Sequence, residues 1–283
     1  MAEHLSQLTG SNRRLSALIA PREHGAWGLL LVPLLTGGIV GILDGGSGLP
    51  LAAFTLAALA LFWLRTPLES WLCTGIVRAE TPQERQSVAV TCVVLAGVAA
   101  SALAFLFARG SRDLLWLGSM AAFAFVMQAL LRKLSRKTRM VSQIVGAVGL
   151  TITAPSAYYV VAGRIDRDAW ALWIANILFA GDQIHFVHLR IHPARLSGWA
   201  QKLENGRDFL IGEVLLMVAL FAGWRLHVLP GPVMFAFLPL LIRGSAWFFE
   251  GQKPLAVRRL GWTELAHALV FGIILITAFE LRH

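Results

Sequence analysis

The sequence predicts an all-α integral membrane protein of nine transmembrane helices. Three observations carry that prediction: an apolar composition, nine separable apolar windows, and a lopsided distribution of Lys and Arg. Of 283 residues, 57% are hydrophobic and 14% charged, with a mean hydropathy of +0.65, whereas soluble domains run near 45–50% apolar and about 25% charged. The two cysteines, Cys73 and Cys92, are too few to staple a chain of this length, which excludes a secreted disulfide scaffold.

A membrane-spanning helix needs roughly 20 apolar residues. Nine windows supply them, near 25–43, 49–68, 87–108, 113–131, 141–163, 168–188, 208–227, 230–247 and 262–281. The first is closed by Asp44-Gly45-Gly46-Ser47-Gly48 and the eighth is opened by Pro230-Gly231-Pro232, and both runs are turn chemistry that makes tight hairpins. Residues 1–20 read as a cytoplasmic tail, because Ser16-Ala17-Leu18-Ile19-Ala20 is too short for a secretory apolar core. Residues 21–283 read as one polytopic domain, with no repeat or low-complexity segment to mark a second.

Sorting the 25 Lys and Arg residues to the two sides of nine spans gives a 19-to-6 split in favour of the side that holds the N-terminal tail. The positive-inside rule then places the N-terminus in the cytoplasm and the C-terminus outside, in a bacterial cytoplasmic membrane. The net charge of +9 falls where anionic lipid head groups lie, worth about 1 kcal/mol per residue near the surface. No basic domain stands clear of the membrane, so membrane lipids, and no nucleic acid, are the expected partners.

Ionisable side chains inside spans cost at least about 2.5 kcal/mol at the centre, so their positions point to function. Glu23 and His24 open the first span, Glu69 follows the second, and Gln128 and Gln143 flank the fourth connector. Asp182, His185 and His188 end the sixth span, with Asn176 nearer its middle; Asp208 and Glu213 start the seventh, and Glu264 and His267 the ninth. Except for Asn176, all lie towards the cytoplasmic side, whereas the outer acids Asp44, Asp113, Asp166, Asp168 and Glu280 are connector or terminal residues. A polar cavity open to the cytoplasmic leaflet explains the asymmetry; wet helix ends are the blander explanation. The cavity reading expects Glu23, His24, Glu69, Asp182, His185 and Glu213 to converge.

At 100° per residue, Asp182, His185, His188 and His192 form one stripe, with Pro193 after it. Such a stripe suits a divalent metal, a proton shuttle, an anionic ligand, or a hydrated helix end. The fourth connector, Arg132-Lys133-Leu134-Ser135-Arg136-Lys137-Thr138-Arg139, carries five charges in eight residues. It reads either as a phosphate clamp or as the topogenic stop of a short cytoplasmic loop. No glycine-rich phosphate loop, HExxH, CxxC or serine elbow is present. The pairs Gly37-Gly38 and Gly45-Gly46 suit close helix approach or turns.

The run Pro21-Arg22-Glu23-His24-Gly25-Ala26-Trp27-Gly28, followed by Leu-rich sequence and Pro33, resembles the opening of the bacterial YwiC-like family. The middle of the chain is similar in its order of features to the UbiA superfamily of intramembrane prenyltransferases. Lys133-Leu134-Ser135-Arg136-Lys137-Thr138 leads to Gln143-Ile144-Val145-Gly146, a span ending at Gly163, an acidic turn, and Trp170 onward to Gly181-Asp182. That resemblance implies a nine-helix bundle with a cytoplasm-facing cavity for an isoprenoid or other lipid-like anionic ligand. It also implies that Lys133 and Arg136 meet a diphosphate and that Asp182 holds magnesium. The chain departs from the pattern where Arg65-Thr66-Pro67-Leu68-Glu69-Ser70 replaces the first acidic motif and Phe186 stands where a second carboxylate is expected. Arg22, Glu23, His24, Glu69, Lys133, Arg136, Asp182, His185, His188 and Glu213 are the candidate ligand-binding residues. Two other readings stay open: a permease or carrier, and a non-catalytic membrane partner of a respiratory or lipid-synthesis complex.

Overall fold

A computed structural model describes residues 14–20, 24–72, 77–134, 139–191, 199–250 and 257–281. Each of the nine apolar windows lies on helix. A short helix, α1, covers 14–19 and is followed by α2 (His24–Leu43), α3 (Gly48–Trp71), α4 (Pro82–Ala108) and α5 (Leu114–Leu134). The fifth window is split at Ile152 into α6 (Arg139–Thr151) and α7 (Thr153–Ala162), and α8 (Arg167–Ile191) follows. Then come the short α9 (Trp199–Asn205), α10 (Arg207–Arg225), a 3-10 turn at Gly231–Phe237 that runs into α11 (Leu238–Phe249), and α12 (Val257–Glu280).

Among the described residues, six helices are long and apolar enough to cross a membrane, against the nine expected. They cover Gly48–Trp71, Pro82–Ala108, Leu114–Leu134, Met140–Ala162, Gly231–Phe249 and Arg259–Glu280, while the apolar stretch Trp27–Leu43 is shorter. The physical reason is visible in the sixth and seventh windows. Helix α8 is diluted by Asn176, Asp182, Gln183 and His185, and α10 carries Arg207, Asp208, Glu213 and Arg225. Hydropathy measures fitness for lipid; α8 turns these residues towards protein, and α10 turns Glu213 inward while Arg207, Asp208 and Arg225 are exposed near its ends.

The chain forms two compact units, one of residues 1–24 and 49–111 and the other of 25–48 and 112–283. In the first, Leu18 of α1 packs with Ala79 and Val88. Trp63 Nε1 and Ser70 Oγ of α3 donate to the Ile19 and Leu18 carbonyls, which have no partner within so short a helix. Helix α4 begins with a capping box: the Glu84 amide donates to Thr81 Oγ1 and the Thr81 amide to Glu84 Oε2. Arg14 bridges Glu80 at 2.6 Å and Glu84 at 2.7 Å.

In the second unit α8 is the axis, with no exposed residue between its ends at Arg167 and Ile191. Phe179 stacks on Phe271 of α12 at 4.2 Å, and Phe237 meets Phe271 edge-on at 5.2 Å. Asn176 Nδ2 donates to Thr36 Oγ1 of α2 at 3.2 Å. Helix α2 lies tightly against α7: a Cβ on Gly37 would stand 2.0 Å from the Ala154 carbonyl oxygen, and one on Gly41 would stand 3.0 Å from the Val161 side chain. Gly163, at φ +74°, ends α7 by donating its amide to the Tyr159 carbonyl. On either side of it, buried Tyr158 and exposed Arg164 tie together Asp44 and Asp166, two acids that lie 122 positions apart. The Tyr158 hydroxyl is 2.6 Å from Asp44 Oδ2, and Arg164 Nε is 2.6 Å from Asp166 Oδ2. Burial opposes ionisation of Asp166, but hydrogen bonds from Arg164, Ala169, Tyr158 and Asp168 outweigh it and hold the carboxyl below its ordinary range.

Gly37→Leu should therefore part α2 from α7. Overpacking of this kind costs about 1–3 kcal/mol, read as a lowered thermal midpoint of the detergent-solubilised protein. An unchanged midpoint would contradict the close approach.

Candidate functional site

Buried positions on the helices around α8 recur at helical spacing, and four of them carry charge where an apolar residue is expected. On α10 the buried line is Phe209, Glu213, Leu216 and Leu220. On α11 it is Leu240, Arg243, Gly244 and Trp247, with the Arg243 side chain 7% exposed. On α12 Glu264 opens the line continued by Ala268, Phe271 and Leu275, and on α8 Asp182 adjoins Phe179, Gln183 and Phe186. By helical rise the four lie six to nine residues from the helix ends on one side, about 9–14 Å along the axes.

Arg243 organises them. Its Nη2 donates to Asp182 Oδ2 at 2.7 Å, its Nη1 donates to Glu264 Oε2, and its guanidinium lies 4.0 Å from the centroid of the Phe186 ring. The Asp182 and Glu264 side chains are 4% and 7% exposed. Glu213 abuts Asp182, and neither Glu213 oxygen accepts a hydrogen bond from a protein donor. Arg243 Nε and Glu264 Oε1 are likewise buried without a partner. Gln183 Nε2 donates to the Glu264 carbonyl, and His267 of α12 has its Nδ1 2.7 Å from the Thr263 carbonyl.

The layer is closed by apolar clusters towards both helix ends. On one side lie Phe179, Phe237 and Phe271, and on the other Phe186, Phe209, Trp247 and Phe248. Over the second cluster, Lys202 of α9 is itself buried and donates to the Trp247 and Glu250 carbonyls, satisfying the end of α11.

Of the candidate residues, Asp182 and Glu213 come together. His185 and His188 part from Asp182, because a 120° sweep along α8 meets different neighbours. His185 packs edge-on against Phe209, with Nδ1 beside Gly212 of α10, and His188 Nε2 is 2.7 Å from Gln143 Oε1 of α6. Glu69 belongs to the first unit and pairs with Arg65 at 3.0 Å. Lys133 is exposed in the last turn of α5. Arg22, Glu23, Arg136 and His192 lie outside the described residues, as does the His24 side chain. Among the described residues no group of three or more His, Cys, Asp or Glu could hold a metal ion, and one oxygen of Asp182 is committed to Arg243.

Arg243 is the residue that sequence reasoning missed. The 19-to-6 split counts it among the cytoplasmic connector charges, yet it lies inside α11 and contributes nothing to the positive-inside count. The signal was available, since position 243 falls within the eighth window.

Residues 20–158 match the family model described as YwiC-like protein. A curated relative, "Uncharacterized protein YwiC" of Bacillus subtilis (strain 168), is 22% identical over 266 residues, covering 91% of this chain and 96% of the relative. No solved structure matches the chain significantly. The buried charges at 182–264 lie beyond the family match.

Removing the guanidinium that pairs with Asp182 and Glu264 should be costly. Arg243→Met is expected to lower unfolding stability by about 3–5 kcal/mol. By contrast, Lys133→Ala at an exposed helix end should change it by less than about 0.5 kcal/mol. Equal effects of the two substitutions in detergent unfolding would sink this assignment.

Proposed function

We propose that the chain, which matches the YwiC-like family over residues 20–158, works as a carrier for a small polar solute in a bacterial cytoplasmic membrane. The observation that carries the reading is the charged layer itself: one Arg and three carboxyls on the inward stripes of four helices, between two apolar clusters. Charge inside a membrane bundle is expensive, and it marks solute or ion pathways. The interrupted helices support the same reading. The break at Ile152 and the 3-10 turn before α11 interrupt two apolar stretches of the second unit, and interrupted helices are a feature of carrier binding sites.

The alternative is an isoprenoid or similar anionic lipid bound at the cytoplasmic leaflet by a UbiA-like prenyltransferase relative, with the exposed Lys133 contributing charge. The balance of charge in the buried layer runs against it, because three carboxyls around one guanidinium repel an anion. The opposite functional class, a non-catalytic partner of a membrane complex, finds no particular support.

Proteoliposomes containing the full chain should accumulate at least one polar metabolite from a defined mixture, read by mass spectrometry against empty vesicles. Arg243→Gln should abolish the accumulation. No uptake, together with a prenyl diphosphate retained by the purified protein, would transfer the assignment to the lipid-ligand reading.

The orientation proposed with this function, N-terminus in the cytoplasm and C-terminus outside, follows from the charge asymmetry and an odd number of crossings. Reporter fusions should place the two ends in opposite compartments. Both ends on one side would exclude nine crossings.

A further inference from the structure

Glu213 is 8% exposed, stands on the inward stripe of α10, and presents two oxygens to which no protein group donates. Its Oε1 lies 2.4 Å from where a Cβ on Gly244 would stand, next to Arg243 on α11, and its neighbour there is another acid, Asp182, whose Oδ2 is already taken by Arg243. Two carboxylates in contact repel strongly in a low-dielectric interior, whereas one proton between them turns the contact into an O–H···O hydrogen bond. The remaining charges around Glu213 do not remove the conflict. Arg243 is divided between Asp182 and Glu264, and Lys202 of α9 is committed to the Trp247 and Glu250 carbonyls. Asp208, on the exposed first turn of α10, adds negative charge. His185 of α8 and His267 of α12 are the nearby imidazoles; the first packs on Phe209 and the second has its Nδ1 at the Thr263 carbonyl.

We propose that Glu213 and Asp182 together bind one exchangeable proton, held between their carboxyl groups. Arginine stays protonated at every physiological pH, so exchange falls to the acids. A divalent metal is the poorer occupant, because the described residues offer no three-ligand group and the guanidinium already fills one side of the acids. Binding moves a proton from water onto a Glu213 oxygen, which then donates to Asp182; release returns the proton to water and leaves an additional negative charge facing Arg243. Coupling this proton to solute movement rests on the carrier reading, whereas its binding does not.

Infrared difference spectra of the full chain in liposomes, recorded across about pH 5 to about pH 9, test the proposal. The wild-type protein should show the C=O band of a protonated carboxyl, shifted in D2O and shifted again by isotope-labelled glutamate. Glu213→Gln should lose that band, and Glu69→Gln should keep it. If Glu213→Gln fails to fold, Glu213→Asp should keep a protonated-carboxyl band and remove its response to the glutamate label, a response that a band from Glu264 would not lose. In the wild-type protein, no protonated-carboxyl band at any pH, or a band insensitive to the glutamate label, overturns the proposal. A band present without any solute uptake removes the carrier reading and leaves the proton site standing.

Discussion

Everything in the second unit turns on keeping one guanidinium inside an apolar bundle. An arginine cannot shed its proton, so the protein must surround the charge with acceptors or expose it to water. Here the acceptors come from two other helices, Asp182 on α8 and Glu264 on α12, with an aromatic face from Phe186. Each partner can reach Arg243 only when its helix has the correct rotation and depth. The charge set therefore fixes the register of α8, α11 and α12, which the apolar contacts between Phe179, Phe237 and Phe271 would hold less specifically.

The same arrangement separates stability from function. Pairing with Asp182 and Glu264 explains why Arg243 is tolerated, but it does not explain Glu213. A purely structural network would have ended with satisfied oxygens, since buried polar groups are ordinarily paired. Glu213 stands on a line whose other members are Phe209, Leu216 and Leu220, so an apolar side chain would pack there at no electrostatic cost. An acid in that position is the observation on which the proposed proton site rests.

Much of this was legible in the chain. The nine apolar windows fall on helices because lipid-facing sequence has to be apolar, and faces such as that of α10, with Ile211, Val214, Leu215, Val218 and Phe221 exposed, carry the signal. Asp182, Glu213, Glu264 and His267 stand out in the sequence as polar residues inside apolar windows. Arg243 was overlooked because a basic residue near a predicted span end reads first as a topogenic charge. The stripe of Asp182, His185 and His188 promised one ligand set, yet residues 60° apart on a fully enclosed helix meet different neighbours. One-dimensional spacing fixes the face of a helix; which helix covers that face depends on the packing of the whole unit.

Helix α8 has no exposed residue between its ends and is among the helices least suited to lipid, and this bears on how the protein is made. Its Asn176, Asp182, Gln183 and His185 are acceptable because α2, α10, α11 and α12 surround them, but three of those four helices are synthesised after it. When α8 leaves the ribosome, the cation for Asp182 is about 60 residues from being made. The insertion machinery must therefore hold a marginally apolar segment beside it, or let it re-enter late, until Arg243 arrives. Biogenesis of this chain is a problem of timing, in which the C-terminal helices rescue a helix that the bilayer alone would reject.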